Sequence, residues 1–186
     1  RAPDLWAHSL QTLYTTVVGF AMGVFLGVIF GVAVGSSRLV YMALYPVLVG
    51  FNSIPKVAIV PILVIWFGIG TVPAIITSLV ISLFPVTANV ATGLATTQAE
   101  LEDILRALGA SKWDTLRYVG LPSSLPYFFA SLKISISLAF IGTVVSETIA
   151  ANTGIGSMMI VASSNFDVPL VFAGLFILAA MGVVLY

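Results

Sequence analysis

The placement of charge constrains this chain more than any other feature. Seven of its fourteen acidic and basic residues lie between Glu100 and Arg117, and the remaining 168 residues share the other seven. Long uncharged runs flank that segment: Leu13–Gly35 holds 23 residues and positions 57–99 hold 43 without one charge. A helix needs about 20 apolar residues to cross a bilayer. With 60% of its 186 residues apolar and 8% charged, against roughly 25% charged in globular domains, a soluble fold could not cover its own surface. The pattern therefore predicts an all-α, polytopic membrane helical bundle, with residues 1–186 as a single transmembrane domain. A formal net charge of zero offers no basic face for nucleic acid. The lack of cysteine leaves no disulfide and no thiolate metal site.

The runs can be counted against the bilayer. Leu13–Gly35 makes one span, ended by Ser36-Ser37-Arg38. Residues 39–67 are too long for one straight crossing and are interrupted by Asn52-Ser53-Ile54-Pro55-Lys56, which predicts a bent or broken membrane element. Gly68–Pro73 is the turn before a span over Ala74–Leu94. Tyr127–Ala150 makes another span, Asn152–Asp167 a loop or short external helix, and Val168–Tyr186 begins the last. That gives about five crossings, with a sixth expected upstream of Arg1. Basic residues concentrate in short cytoplasmic loops. Arg38, Arg106, Lys112 and Arg117 therefore place 36–38 and 95–126 inside, and 68–73 and 151–167 outside.

Small and polar residues within the spans are the next signal. Gly19, Gly23, Gly27, Gly31 and Gly35 repeat every four residues. Such a stripe lets helix backbones approach closely, either at a dimer seam or within one chain. Ser131, Ser135, Gly142 and Ser146 share a stripe of the 127–150 helix. They could line an aqueous pathway or hold a neighbouring helix. Charge in hydrocarbon is costly, so it marks functional candidates. Lys133 lies near the inner end of its helix, from where it can snorkel to the interface. Glu147 faces either the pathway or a structural hydrogen-bond network. Asn52, Ser53 and Lys56 surround the break, where backbone groups can line a cavity. These seven residues (Asn52, Ser53, Lys56, Ser131, Ser135, Ser146 and Glu147) are the candidate substrate pathway.

No H-E-x-x-H, G-x-S-x-G or G-x-x-x-x-G-K-[ST] string occurs, and the lone histidine, His8, lies near the N-terminal edge. The chain thus carries no catalytic constellation and no Walker loop of its own, which favours transport over catalysis. A gradient-driven carrier or channel is the alternative, but it calls for paired intramembrane charges and finds only Glu147.

The polar segment reads Glu100-Leu-Glu-Asp-Ile-Leu-Arg-Ala-Leu-Gly-Ala-Ser-Lys-Trp-Asp-Thr-Leu-Arg-Tyr-Val-Gly-Leu-Pro122. Leu101, Ile104, Leu105 and Leu108 have helical spacing. Gly109 can end that helix and Ser111 can cap the next, which should stop near Pro122. The result is a knob of two short helices. Its apolar residues, outside the bilayer, ask for a protein partner.

Asp103-Ile-Leu-Arg-Ala-Leu-Gly109, followed after eleven residues by Leu121-Pro122, resembles the "EAA" loop of ATP-binding cassette importer permeases. Asp103 stands for the glutamate and Ile104-Leu105 for the two alanines. Ser53–Gly70, Phe84-Pro85, Val145-Ser146-Glu147 and Ser163–Gly174 are similar to the nitrate/sulfonate/taurine branch of these permeases. The resemblance implies a type I permease core of six helices in the bacterial inner membrane, working beside a second permease subunit, as a homodimer. It implies a coupling loop at about residues 99–122, in which Asp103, Arg106, Ala107, Leu108, Gly109, Ala110 and Ser111 contact a cytoplasmic ATPase. That partner would bind ATP and magnesium, with no cofactor in this chain. A periplasmic or extracellular solute-binding protein would deliver the substrate.

Overall fold

The computed structural model describes residues 2–96, 104–105 and 107–186, with side chains from residue 5 onward. The described residues are helical, with no strand among them. Helix α1 spans Ala2–Gly35, longer than the expected span, because the proline before Leu13, Pro3, falls in the first turn, where a helix tolerates it. Helix α2 covers Arg38–Ser53 and a 3₁₀ turn covers Lys56–Ile59. Helix α3 covers Val60–Phe67 and α4 covers Thr71–Ala95. Helix α5 is a continuous helical run over Lys112–Ala150. Helix α6 covers Ile155–Ser164 and α7 covers Val168–Leu185.

The break in the second element follows from proline chemistry. A residue preceding proline is pushed to extended backbone. Ile54, before Pro55, sits at φ −72°, ψ 132° and ends α2. The two arms then meet at 76°, the bent membrane element read from the sequence. Among the described residues, four helices are long and apolar enough to span, or five with this bent pair.

One expectation fails here. The second short helix does not stop at Pro122 but runs on into the membrane helix. Residues Leu116–Gly120 form a π turn, in which the Leu121 N–H reaches back to the Leu116 carbonyl. The wider turn opens the helix just before Pro122, where a regular α turn would press the proline ring against a carbonyl.

The described contacts divide the chain into two compact units. The first comprises Arg1–Gly23, Pro55–Ser82 and Ser135–Tyr186; the second comprises Val24–Ile54 and Leu83–Ile134. In the first unit, a Cβ on Gly23 would lie 2.7 Å from the Leu79 carbonyl oxygen and 2.8 Å from Ser82 Cβ. Gly19 meets Ser78 in the same way. Ser135 Oγ donates to the Ser82 carbonyl at 3.4 Å, and the Gly70 N–H donates to the Ala150 carbonyl at 2.9 Å. In the second unit, Gly27, Gly31 and Gly35 abut Val86, Val90 and Leu94. Those three residues form a buried cluster with Val24, Val28, Val32, Leu116 and Phe128 around it. The glycine stripe therefore packs within the chain, α1 on α4, and its partner is a second four-residue repeat.

Candidate functional site

The polar segment builds a knob. The Leu108 N–H bonds the Ile104 carbonyl at 3.1 Å, and the Ala110 N–H reaches the Leu105 carbonyl at 2.9 Å. Between them Gly109 adopts φ +84°, the left-handed geometry that closes a helix C-terminus. The next helix starts at Lys112, three residues later. Ser111 caps it: Asp114 N–H donates to Ser111 Oγ at 3.2 Å, and Ser111 N–H donates to Asp114 Oδ2 at 3.0 Å. This is a reciprocal capping box, with acid three residues after the cap. The Ser111 hydroxyl and then its amide hold the Asp114 carboxyl below the ordinary carboxylate range. Helix α5 at 39 residues is about 58 Å long against about 30 Å of hydrocarbon, so its first turns project beyond the bilayer.

The knob leaves apolar side chains in the open. Leu108 is 79% exposed, Trp113 64% and Ile104 56%. Ala107, Gly109 and Ser111 are exposed as well, and Ala110 is half-buried. Of the seven expected coupling residues, Asp103 and Arg106 lie outside the described residues. The other five fall on one short stretch around the Gly109 turn.

The expected pathway residues separate into two groups. Asn52 and Ser53 are exposed at the end of α2, and Lys56 is half-buried at the start of the 3₁₀ turn. Ser131, Ser135, Ser146 and Glu147 are buried inside the chain rather than facing open space. For Ser135 the helix-holding alternative is the one seen, through its bond to Ser82. The hydroxyls of Thr143 and Ser146 are buried without a partner.

Glu147 belongs to a network that sequence spacing does not reveal. It is 1% exposed. Its Oε2 accepts from the Thr12 hydroxyl at 2.9 Å and the Gly156 N–H at 3.1 Å, and its Oε1 receives a longer contact of 3.5 Å from Thr15. Thr12 Oγ1 accepts the Ile155 N–H at 2.9 Å, and His8 Nδ1 accepts the Gly154 N–H at 2.9 Å. The first N–H groups of a helix have no partner within it. Here three consecutive ones at the start of α6 are taken by side chains of α1 and α5. Gly154 sits at φ +105°, and a Cβ there would overlap the Glu147 carboxyl. Thr12, Thr15 and His8 were not among the expected site residues. The available signal was the hydroxyl cluster Thr12, Thr15, Thr16 in an otherwise apolar helix.

Comparison with known proteins agrees with this architecture. Residues 23–186 match the family described as binding-protein-dependent transport system inner membrane component. A probable ABC transporter permease protein of Haemophilus influenzae is 38% identical over the whole chain and 76% of its own length. A formylaminopyrimidine transport permease protein of Halalkalibacterium halodurans is 34% identical over 96% of this chain and 71% of its own. The taurine transport system permease protein of Escherichia coli is 30% identical over 97% and 66%. In fold, the chain superposes on an inward-facing form of the MetNI methionine ABC transporter with a TM-score of 0.83 and 19% identity, covering all of this chain and 94% of the other. The chain is thus a multi-pass inner-membrane protein and a transport subunit rather than an enzyme, and it belongs to the binding-protein-dependent inner-membrane components, the permeases of ATP-driven importers.

Proposed function

We propose that the Ile104–Asp114 knob is the handle by which a cytoplasmic ATPase moves this permease. The observation that carries the reading is the pairing of a rigid turn with exposed apolar side chains. Gly109 and the Ser111–Asp114 box fix the angle, while Ile104, Leu108 and Trp113 offer the surface. ATP and magnesium belong to that ATPase, whose closure displaces the knob and with it helix α5. Positive charge near Arg38 and Lys112 sets both on the cytoplasmic side, and leaves 151–167 outside, where a solute-binding protein delivers substrate. A second copy of this chain completes the pathway. Asn52 and Ser53, exposed at the break between α2 and α3, and the half-buried Lys56 beside them are the pathway residues this reading retains.

Gly109→Trp tests the handle. Its φ of +84° strains any side chain, although open space surrounds it. The variant should insert normally and fail to co-purify with the ATPase. Normal co-purification would overturn the assignment.

A further inference from the structure

A cavity of about 340 Å³ opens beside α6. Its polar lining comes from His8, Asn152, Ser157, Asn165 and Asp167, and its apolar wall from side chains of α6 and α7. Small-molecule pockets start near this size and combine an apolar wall with a few placed polar groups.

The polar groups are held from behind. His8 Nδ1 accepts the Gly154 N–H, so it carries no hydrogen and Nε2–H is the donor the ring can offer. Ser157 is buried in the first turn of α6. At the other end of α6, Phe166 takes φ +55°, the left-handed conformation that a bulky residue rarely adopts. The Asp167 N–H then bonds the Ala162 carbonyl at 2.9 Å, closing the helix. Phe166 itself is 88% exposed, so its own packing gives little return for that strain. The turn instead sets its neighbours, Asn165 and Asp167, on the cavity wall. Asp167 Oδ1 meanwhile accepts the Leu170 N–H.

Resting on the importer reading, we infer that this cavity is a transit subsite for the transported solute, and that the solute is a polar ring compound without negative charge. Two asparagines and a serine each both donate and accept hydrogen bonds, His8 donates through Nε2–H, and the Asp167 carboxylate accepts and repels an anion. They suit the amide- and amine-bearing edge of such a ring, and the aliphatic wall suits its face. A site for a small anion would instead be built from fixed cations or helix N–H groups. At the start of α6, the N–H groups of residues 154–156 are already taken by His8, Thr12 and Glu147.

The 186 residues contain no cysteine, so single cysteines report cleanly. Asn152→Cys and Asn165→Cys are placed at the cavity, and Ser164→Cys nearby serves as the control outside its lining. The permease–ATPase complex in vesicles is labelled from outside with a membrane-impermeant thiol reagent. Formylaminopyrimidine and cytosine are the uncharged probes; taurine and nitrate are the anionic or zwitterionic ones. For a millimolar site, about 10 mM of probe leaves about a tenth of sites free and slows labelling about tenfold. The expected result is outside labelling at all three positions, slowed at 152 and 165 by an uncharged probe and unchanged at 164. Protection by taurine or nitrate, protection only by added binding protein, or no protection by any probe overturns the inference. Those outcomes leave the importer reading standing, since its own test lies in ATPase co-purification.

Discussion

Replacing Thr12 by valine isolates the network at the start of α6. Threonine and valine are both β-branched and of nearly the same shape, so helix propensity and packing change little. The hydroxyl, however, holds two bonds at once: it accepts the Ile155 N–H at 2.9 Å and donates to Glu147 Oε2 at 2.9 Å. Valine strands the Ile155 N–H in a buried place, at about 1–3 kcal/mol, and removes a donor from the carboxyl, at about 1 kcal/mol more. The sum is about 2–4 kcal/mol. A chain of this length loses about 2–4 °C of melting temperature per kcal/mol, so a fall of roughly 5–15 °C is expected. Thr16→Val is the control, because its hydroxyl bonds only the Thr12 carbonyl at 2.8 Å within its own helix; its cost should stay near 1 kcal/mol or below. Thermal unfolding of the purified complex in detergent compares the two. A Thr12→Val variant no less stable than Thr16→Val would refute the claim that α1 holds α6 through this hydroxyl.

Gly23→Ala places its Cβ 2.7 Å from the Leu79 backbone oxygen, which a side-chain rotation cannot relieve. It should cost about 1–3 kcal/mol by overpacking, measured as lost thermal stability, while Gly50→Ala, with nothing within 4 Å, does not. Ser111→Ala removes the capping box and about 1 kcal/mol of local helix stability; transport-coupled ATPase activity should fall while the permease melts normally. Leu108→Asp, at a position 79% exposed, should leave stability within about 0.5 kcal/mol. The same change removes a leucine worth about 1.5–3 kcal/mol on burial, so ATPase affinity should drop roughly ten- to a hundredfold in a titration.

What the sequence disclosed and what it hid follow from the range of each interaction. The spans, the 76° break at Pro55 and the helix end at Gly109 are local, and all were legible in composition and spacing. The glycine stripe was legible as a seam, but its partner was not. Small residues every four positions look the same whether the facing helix belongs to this chain or another. The matching repeat Ser78, Ser82, Val86, Val90, Leu94 on α4 was the usable clue. Glu147 is the harder case: its hydroxyl donors Thr12 and Thr15 lie 135 and 132 residues away in the chain. No period carries such a pairing. Pro122 misled for a different reason, since a π turn, which no local pattern announced, lets the helix pass through it.

Exposed apolar surface has opposite meanings in helix α7 and in the knob. Helix α7 buries only Gly174, and Phe172, Phe176, Val183 and Val184 all stand open. Inside a bilayer that exposure is free, because lipid tails are as apolar as the side chains, and so α7 says nothing about a protein partner. Ile104, Leu108 and Trp113 are open to a similar degree, yet they sit on a segment with half of the chain's charges and a helix that overshoots the hydrocarbon. There each large side chain left in water forgoes about 1.5–3 kcal/mol of burial. A soluble patch of that kind marks an interaction site. Among the described residues, the knob thus combines open apolar side chains with a place outside the hydrocarbon, the combination that a covering protein would explain.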